Sequence, residues 1–374
     1  MKARYFYIDN LRWVMILLVV SMHAAVTYSH LGSWYYMEDR PVGAVETGIF
    51  ATYQVTLQSF FMGFLFFLAG FFVPAAYDKK GPGRFLRDRA FRLGLPLLLY
   101  MFVLQPVAVF CITLFHGERI FPDGFFSWYG RYLTHGRWLG GTGPLWFCEA
   151  LLLFCVAYAG IRAVRGRAVA VPGTPTRPRV WLFIALIAVC TFLVRFPWPN
   201  GTSFYNLQFC YFSQYIFFFA AGTLAYRGDW LSRIPVRDGK FWGRVALVGL
   251  IVVWPLLIVA GGTDFHVYAG GAHWQSLAMA FWETTMGVSI SLYLVTLFRE
   301  RWDGQGPVAQ FFSKNAFAVY VFHAPVLIAL SRWMSPAGWP LLVMFLCLTL
   351  LSILVTFALS SLALRRLPVL KRIL

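Results

Sequence analysis

Arg12 and His23 lie eleven residues apart in the first apolar run of the chain, LRWVMILLVVSMHAAV. On an α-helix that spacing is about 16.5 Å of rise and about 1100° of rotation, three turns plus 20°. Both side chains therefore leave one face, a cation at the membrane surface and an imidazole near the middle. This ladder suits an elongated anionic ligand whose reactive end must reach into the membrane, and a phosphopantetheine arm is about that long. The structural alternative for Arg12 is a snorkelling interface anchor.

Three further ionisable groups sit inside apolar runs: Glu149, Glu283 and His323. A charge at membrane depth costs several kcal/mol, so each is a functional candidate. Counting about 1.5 Å per residue places both imidazoles and both carboxylates at comparable depth in the outer half of the membrane. The expectation is one polar cluster built from four helices; the alternative is that each group hydrogen-bonds a neighbouring helix. Residues 78–92, DKKGPGRFLRDRAFR, hold six cations with glycines and a proline, a composition suited to cradling phosphates. Arg89 and Arg92, at i and i+3, are expected to share a helix face. The positive-inside bias of membrane proteins explains the same cations without a ligand. Trp34, Tyr35, Tyr36, Phe125, Phe126, Trp128, Tyr129, Tyr132 and Trp138 crowd the outer connections. They suit either a sugar acceptor or an interfacial aromatic belt.

Those residues have to be positioned by membrane helices. Of 374 residues, 59% are hydrophobic and only 13% charged, with a mean hydropathy of +0.65. A soluble globular protein carries about 25% charged residues, so a water-soluble globule and a disordered chain are both excluded. About 20 apolar residues make a span. Ten stretches qualify: 11–29, 57–76, 92–115, 144–163, 180–196, 207–226, 244–261, 276–298, 309–331 and 340–364. The expected fold is all-α and polytopic, a single membrane-embedded domain over 1–374 with no separate soluble domain. With the N-terminus inside, only Arg40, Arg119, Arg131, Arg137, Arg195 and Arg332 of the 32 Lys and Arg fall on the outer side. That bias predicts both termini in the cytoplasm. It also accounts for the net charge of +17 without any nucleic acid. The inner stretch from Arg162 to Arg179 reads as a flexible linker. The six cysteines show no Cys-x-x-Cys pair, so neither a disulfide framework nor a metal site is expected. The N-terminal run lacks a persuasive cleavage site and reads as a retained first helix.

The opening RYFYIDNLRWVMILLVVSMHAAVTYS resembles the first helix of the acyltransferase family 3 membrane proteins, whose hallmark is Arg-x10-His, here Arg12 and His23. FMGFLFFLAGFFVP resembles the family's second helix. RFLRDRAFRLGLPLLL resembles its basic Arg-x-x-Arg stretch, carried by Arg89 and Arg92. GPLWFCEALL, YFSQYIFFFAAG and NAFAVYVFHAPVL follow in order, so the resemblance covers essentially the whole chain. Asp9-Asn10-Leu11-Arg12 replaces the commoner Asp-Gly-Leu-Arg, and Ala69 stands where many members have Ser. Together with the LWF segment, the Asp9-Asn10-Leu11-Arg12 form more closely resembles the branch that includes the glucan succinyltransferases.

The resemblance implies a multi-pass O-acyltransferase of a bacterial inner membrane. It would move an acetyl, succinyl or similar group from cytoplasmic acyl-CoA to a hydroxyl of a glycan, glycolipid or other small acceptor. His23 would act as general base or as a transient acyl carrier. Glu149, Glu283 or His323 would orient it, and Arg12, Arg84, Arg89 and Arg92 would hold the CoA phosphates. Acyl-CoA is then a substrate, and no permanently bound cofactor is expected. The rival reading is a transporter or flippase for an anionic or glycolipid substrate. An inactive member serving as an interaction protein is a third.

Overall fold

The computed structural model describes residues 5–113, 121–166, 171, 173–366 and 370. Lys2, Arg4, Arg119, Arg167, Lys371 and Arg372, used above for orientation, lie outside the described residues, as do the last positions of the 92–115 stretch. The described residues form helices and no β-strand beyond an isolated bridge between Phe204 and Leu207. The chain is an all-α polytopic membrane protein.

The long helices are α1 (Phe6–Ser29), α2 (Ala44–Ile112), α3 (Phe125–Thr134), α4 (Trp146–Arg165), α5 (Arg177–Val194), α6 (Phe212–Arg227), α7 (Val236–Gly261), α8 (Trp274–Arg301), α9 (Pro307–Met334) and α10 (Leu341–Leu362). Among the described residues, eight helical runs are long and apolar enough to cross a bilayer, and α2 is one of them at 69 residues. Straight, α2 would measure roughly 100 Å, several times the ~30 Å hydrocarbon core. Gly81 breaks it, with φ 73° and ψ 168°, a conformation that residues with a Cβ avoid. Pro82 then restarts the helix with its ring already set for a first turn. Two expected spans, 57–76 and 92–115, thus lie on the two sides of this break. The stretch expected at 207–226 is the 16-residue α6, preceded by a 3-10 turn at Phe209–Tyr211.

The basic segment 78–92 is therefore helical on both sides of one break. Among its residues only Gly81 leaves helical geometry. A π turn at Ala90–Gly94 carries Arg92. Its wider i→i+5 pitch rotates Arg92 off the face that an α turn would share with Arg89. Further π turns occupy Tyr100–Leu104 and Gly249–Val253. Each of the three ends two residues before a proline: Pro96, Pro106 and Pro255. A proline inside a helix lacks its N–H and clashes with the preceding turn, and widening that turn relieves the clash.

Contacts group the chain into two compact units, each gathered from segments distant in sequence. Unit 1 takes Met1–Arg12, Val55–Arg87 and Leu153–Gly306. In it α8 packs on α5 and α7, with Ile184, Ile187, Phe218, Trp242 and Val288 in the core. The Trp282 indole donates to the carbonyl of Gly249 in the π turn at 2.8 Å. α2 and α6 approach so closely that a Cβ on Gly70 would collide with the Phe219 carbonyl, and one on Gly222 with the Phe67 carbonyl. Small residues permit this backbone contact between membrane helices. Unit 2 takes Trp13–Gln54, Asp88–Leu152 and Pro307–Leu374. There α9 packs on α10 and on the last turns of α2. Asn315 Oδ1 accepts from Ser360 Oγ at 2.9 Å, a buried polar contact between α9 and α10.

Candidate active site

α1 is one uninterrupted helix from Phe6 to Ser29, so Arg12 and His23 keep the three-turn spacing read from the sequence. Its polar residues bond locally or to neighbours in the same unit. Thr27 Oγ1 donates to the His23 carbonyl at 3.0 Å. Ser29 Oγ accepts from Gln54 at 2.9 Å, which ties the end of α1 to the start of α2. Arg12 is exposed and His23 half-buried.

Within unit 2, His23 packs against two rings. The Trp34 indole lies nearly parallel to the imidazole, with centroids 3.8 Å apart and 15° between planes. The His323 imidazole lies 5.3 Å away at 17°. The structure thus brings together the two histidines expected to meet. His323 is fully buried. Its Nδ1 is 2.8 Å from the Tyr320 carbonyl; a carbonyl only accepts, so Nδ1 carries the hydrogen and Nε2 presents a lone pair. That Nε2 is buried with no hydrogen-bond partner. The Tyr320 hydroxyl in turn donates to the Pro144 carbonyl, fixing α9 against the turn that opens α4.

Trp34 belongs to a connection, residues 30–43, that is pinned at several points. The Glu38 N–H donates to the Thr27 carbonyl at 2.8 Å, and the His30 ring bonds the Glu38 carbonyl. Tyr35 packs edge-on to Trp34 and donates to Gln105 Oε1. Its hydroxyl also lies 3.1 Å from that of Tyr100. Burial pushes the Tyr35 phenol above its ordinary range, so it stays a hydroxyl and a donor. Tyr36 bonds Glu38 and Ser335 beneath the Arg332 guanidinium, 4.6 Å from the ring centre.

The expected carboxylates behave differently. No hydrogen bond joins Glu149 to either imidazole among the described residues, and its Oε2 is buried without a partner. Glu283 Oε2 accepts from Arg195 Nη2 at 2.6 Å. Both residues belong to unit 1. Their side chains are 0% and 9% exposed, so this is a buried ion pair. Around it lies a cavity of about 10 Å³ lined by Gln58, Ser59, Thr191, Tyr211, Gln214 and Thr284, room for one water. Arg195, counted among the outer-side cations, is fully buried. The signal was available, because Arg195 lies within the apolar stretch 180–196. Trp34 was also present in the sequence, but its contact with His23 depends on the path of the connection after α1. Of the expected phosphate ligands, Arg84 and Arg92 are exposed and Arg89 is half-buried. Arg12 and Arg84 belong to unit 1, Arg89 and Arg92 to unit 2.

A family model described as an acyltransferase domain, that of acyltransferase family 3, matches residues 5–361. No curated protein and no solved structure matches the chain.

Proposed function

The chain belongs to acyltransferase family 3, and from that premise we propose that it transfers an acyl group from cytoplasmic acyl-CoA to a hydroxyl, with His23 at the reacting centre. Membership and the membrane helices make it a multi-pass membrane acyltransferase. The donor, the acceptor and the residue roles are the proposal. The observation that carries it is the single helix α1, which presents Arg12 three turns from an imidazole stacked on Trp34 and on His323.

The chemistry follows from these groups. A hydroxyl is a weak nucleophile until a base takes its proton, and a neutral imidazole is suited to that task. In a direct route, the acceptor O–H gives its proton to His23 as the oxygen attacks the thioester carbon. The C–S bond then breaks and the departing thiolate takes the proton back, leaving free CoA. In a two-step route, His23 attacks the thioester carbon, the C–S bond breaks and the thiolate leaves with the imidazole proton; the acceptor hydroxyl then attacks the acyl-imidazole, takes the acyl group and gives its proton to the ring. Arg12, Arg84, Arg89 and Arg92 would bind the phosphates at the cytoplasmic end. Glu149 and Glu283 remain candidates for a structural or supporting role. The acceptor class proposed is a carbohydrate or other small hydroxyl compound, and the location proposed is a bacterial inner membrane.

The test is purified protein in detergent with acetyl-CoA or succinyl-CoA and a panel of glycan acceptors. Release of free CoA thiol that depends on the acceptor supports the proposal. A protein that moves the acceptor across liposomes without releasing thiol would be a transporter and would overturn it.

A further inference from the structure

Two buried polar atoms around His23 have no partner, and their chemistry is opposite. His323 Nε2 is a bare acceptor, because Nδ1 spends its hydrogen on the Tyr320 carbonyl. Trp34 Nε1 is a donor and nothing else, and it too is buried without a hydrogen-bond partner. A buried N–H left unpaired costs about 1–3 kcal/mol, so a folded protein that places one at 3.8 Å ring spacing from an imidazole has a use for it. A packing role alone would be served by Phe, which offers a ring with no N–H to satisfy.

The reaction proposed above creates the partner. When the hydroxyl oxygen attacks the acyl carbon, the C=O π pair moves onto oxygen and an oxyanion forms. It needs a fixed donor, away from water, beside the nitrogen that takes the proton. The indole plane is only 15° from that of His23 with 3.8 Å between centroids, which keeps the Trp34 ring and its unpaired N–H close to the imidazole where the acyl carbon must sit. Preorganisation comes from the pinned connection: Trp34 is held by Tyr35, which is anchored on Tyr100 and Gln105, while Glu38 is fixed to Thr27. The donor therefore does not have to move as charge develops. The same site serves both routes, since attack by the hydroxyl on a thioester and attack on an acyl-imidazole each pass through an oxyanion.

We propose that Trp34 is a catalytic residue that donates its indole Nε1–H to the oxyanion of the acyl-transfer intermediate, while its ring holds the His23 imidazole in position. This rests on the acyl-transfer reading of the site. In the direct route the proton given up by the acceptor hydroxyl goes to the imidazole and on to the thiolate as the C–S bond breaks; in the two-step route the thiolate leaves with the ring proton and the hydroxyl later replaces it, so both balance with no further reactant.

The experiment replaces the N–H and keeps the ring. Trp34→Phe retains a flat aromatic face. Benzothienyl-alanine introduced at position 34 keeps the full bicyclic shape, with sulfur in place of N–H. Both are assayed for CoA thiol release, varying acyl-CoA, beside the wild-type protein and Trp34→Ala. Loss of an oxyanion donor lowers kcat by about 10²–10³-fold. The account expects that drop for both ring-retaining variants with the KM for acyl-CoA unchanged, and a further loss in Trp34→Ala. If benzothienyl-alanine turns over like wild type, the N–H is not used and the proposal fails, whatever Trp34→Phe does. If KM rises while kcat holds, Trp34 shapes the donor site and the oxyanion role is likewise overturned. A wild-type protein that releases no thiol with any acceptor would instead sink the acyl-transfer reading, a result readable separately from the comparison of variants.

Discussion

Replacing Glu283 by Gln separates holding the fold from doing chemistry. The carboxylate accepts from Arg195 at 2.6 Å, and the two side chains are 9% and 0% exposed. Two other Arg195 nitrogens, Nε and Nη1, are buried without partners, so the carboxylate is the main compensation for a cation out of water. Breaking a buried pair from one side costs about 3–5 kcal/mol, because the other charge is left stranded. The amide keeps the shape and one acceptor oxygen, which points to the lower end, about 3 kcal/mol, or roughly a hundredfold in the folded-to-unfolded ratio. The assay is unfolding by SDS in mixed micelles, followed by tryptophan fluorescence, with thiol release measured below the transition. The account expects a clear loss of stability for Glu283→Gln. Arg195→Met combined with Glu283→Leu should be less destabilised than either single change, because no charge is then left buried. Unchanged stability together with abolished turnover would refute this reasoning and return Glu283 to the reacting centre.

Inserting one alanine after Val19 turns His23 about 100° relative to Arg12 while adding about 1.5 Å; thiol release should be lost with insertion intact, whereas the same insertion after Ala25 should be tolerated. Replacing both Arg89 and Arg92 by Gln should weaken CoA binding, measured by titration, and flatten its salt dependence. Gly222→Val should prevent stable folding, seen as loss of a monodisperse detergent peak, because its side chain would meet the Phe67 carbonyl. Reporter fusions after Asp123 and at the C-terminus should report opposite compartments if the cation bias sets the orientation.

The helices were legible because apolar run length is a strong signal and ten runs stand out from their polar connections. The break at Gly81 and the π turns before Pro96, Pro106 and Pro255 were less so; the residues were visible, but the local widening that they cause decides which way Arg92 faces. The Arg12–His23 ladder was legible because both residues share one helix, where spacing alone fixes direction. The partners of His23 were only half legible. His323 could be placed by depth, since both helices run outward. Trp34 could not, because a connection has no period from which to read where a ring will land. The partner of Glu283 was not legible for a related reason: depth gives the level of a carboxylate, but which side chain meets it within its unit is set by packing. The orientation count gave its partner Arg195 only a side of the membrane, not a contact.

The most direct measurement is CoA thiol release by His23→Ala, in protein shown by fluorescence and size exclusion to be folded and inserted. General-base catalysis contributes about 10²–10⁴-fold. A variant that still binds acyl-CoA but turns over at least about a hundredfold more slowly is the predicted result. Turnover close to wild type would contradict the claim that His23 stands at the reacting centre.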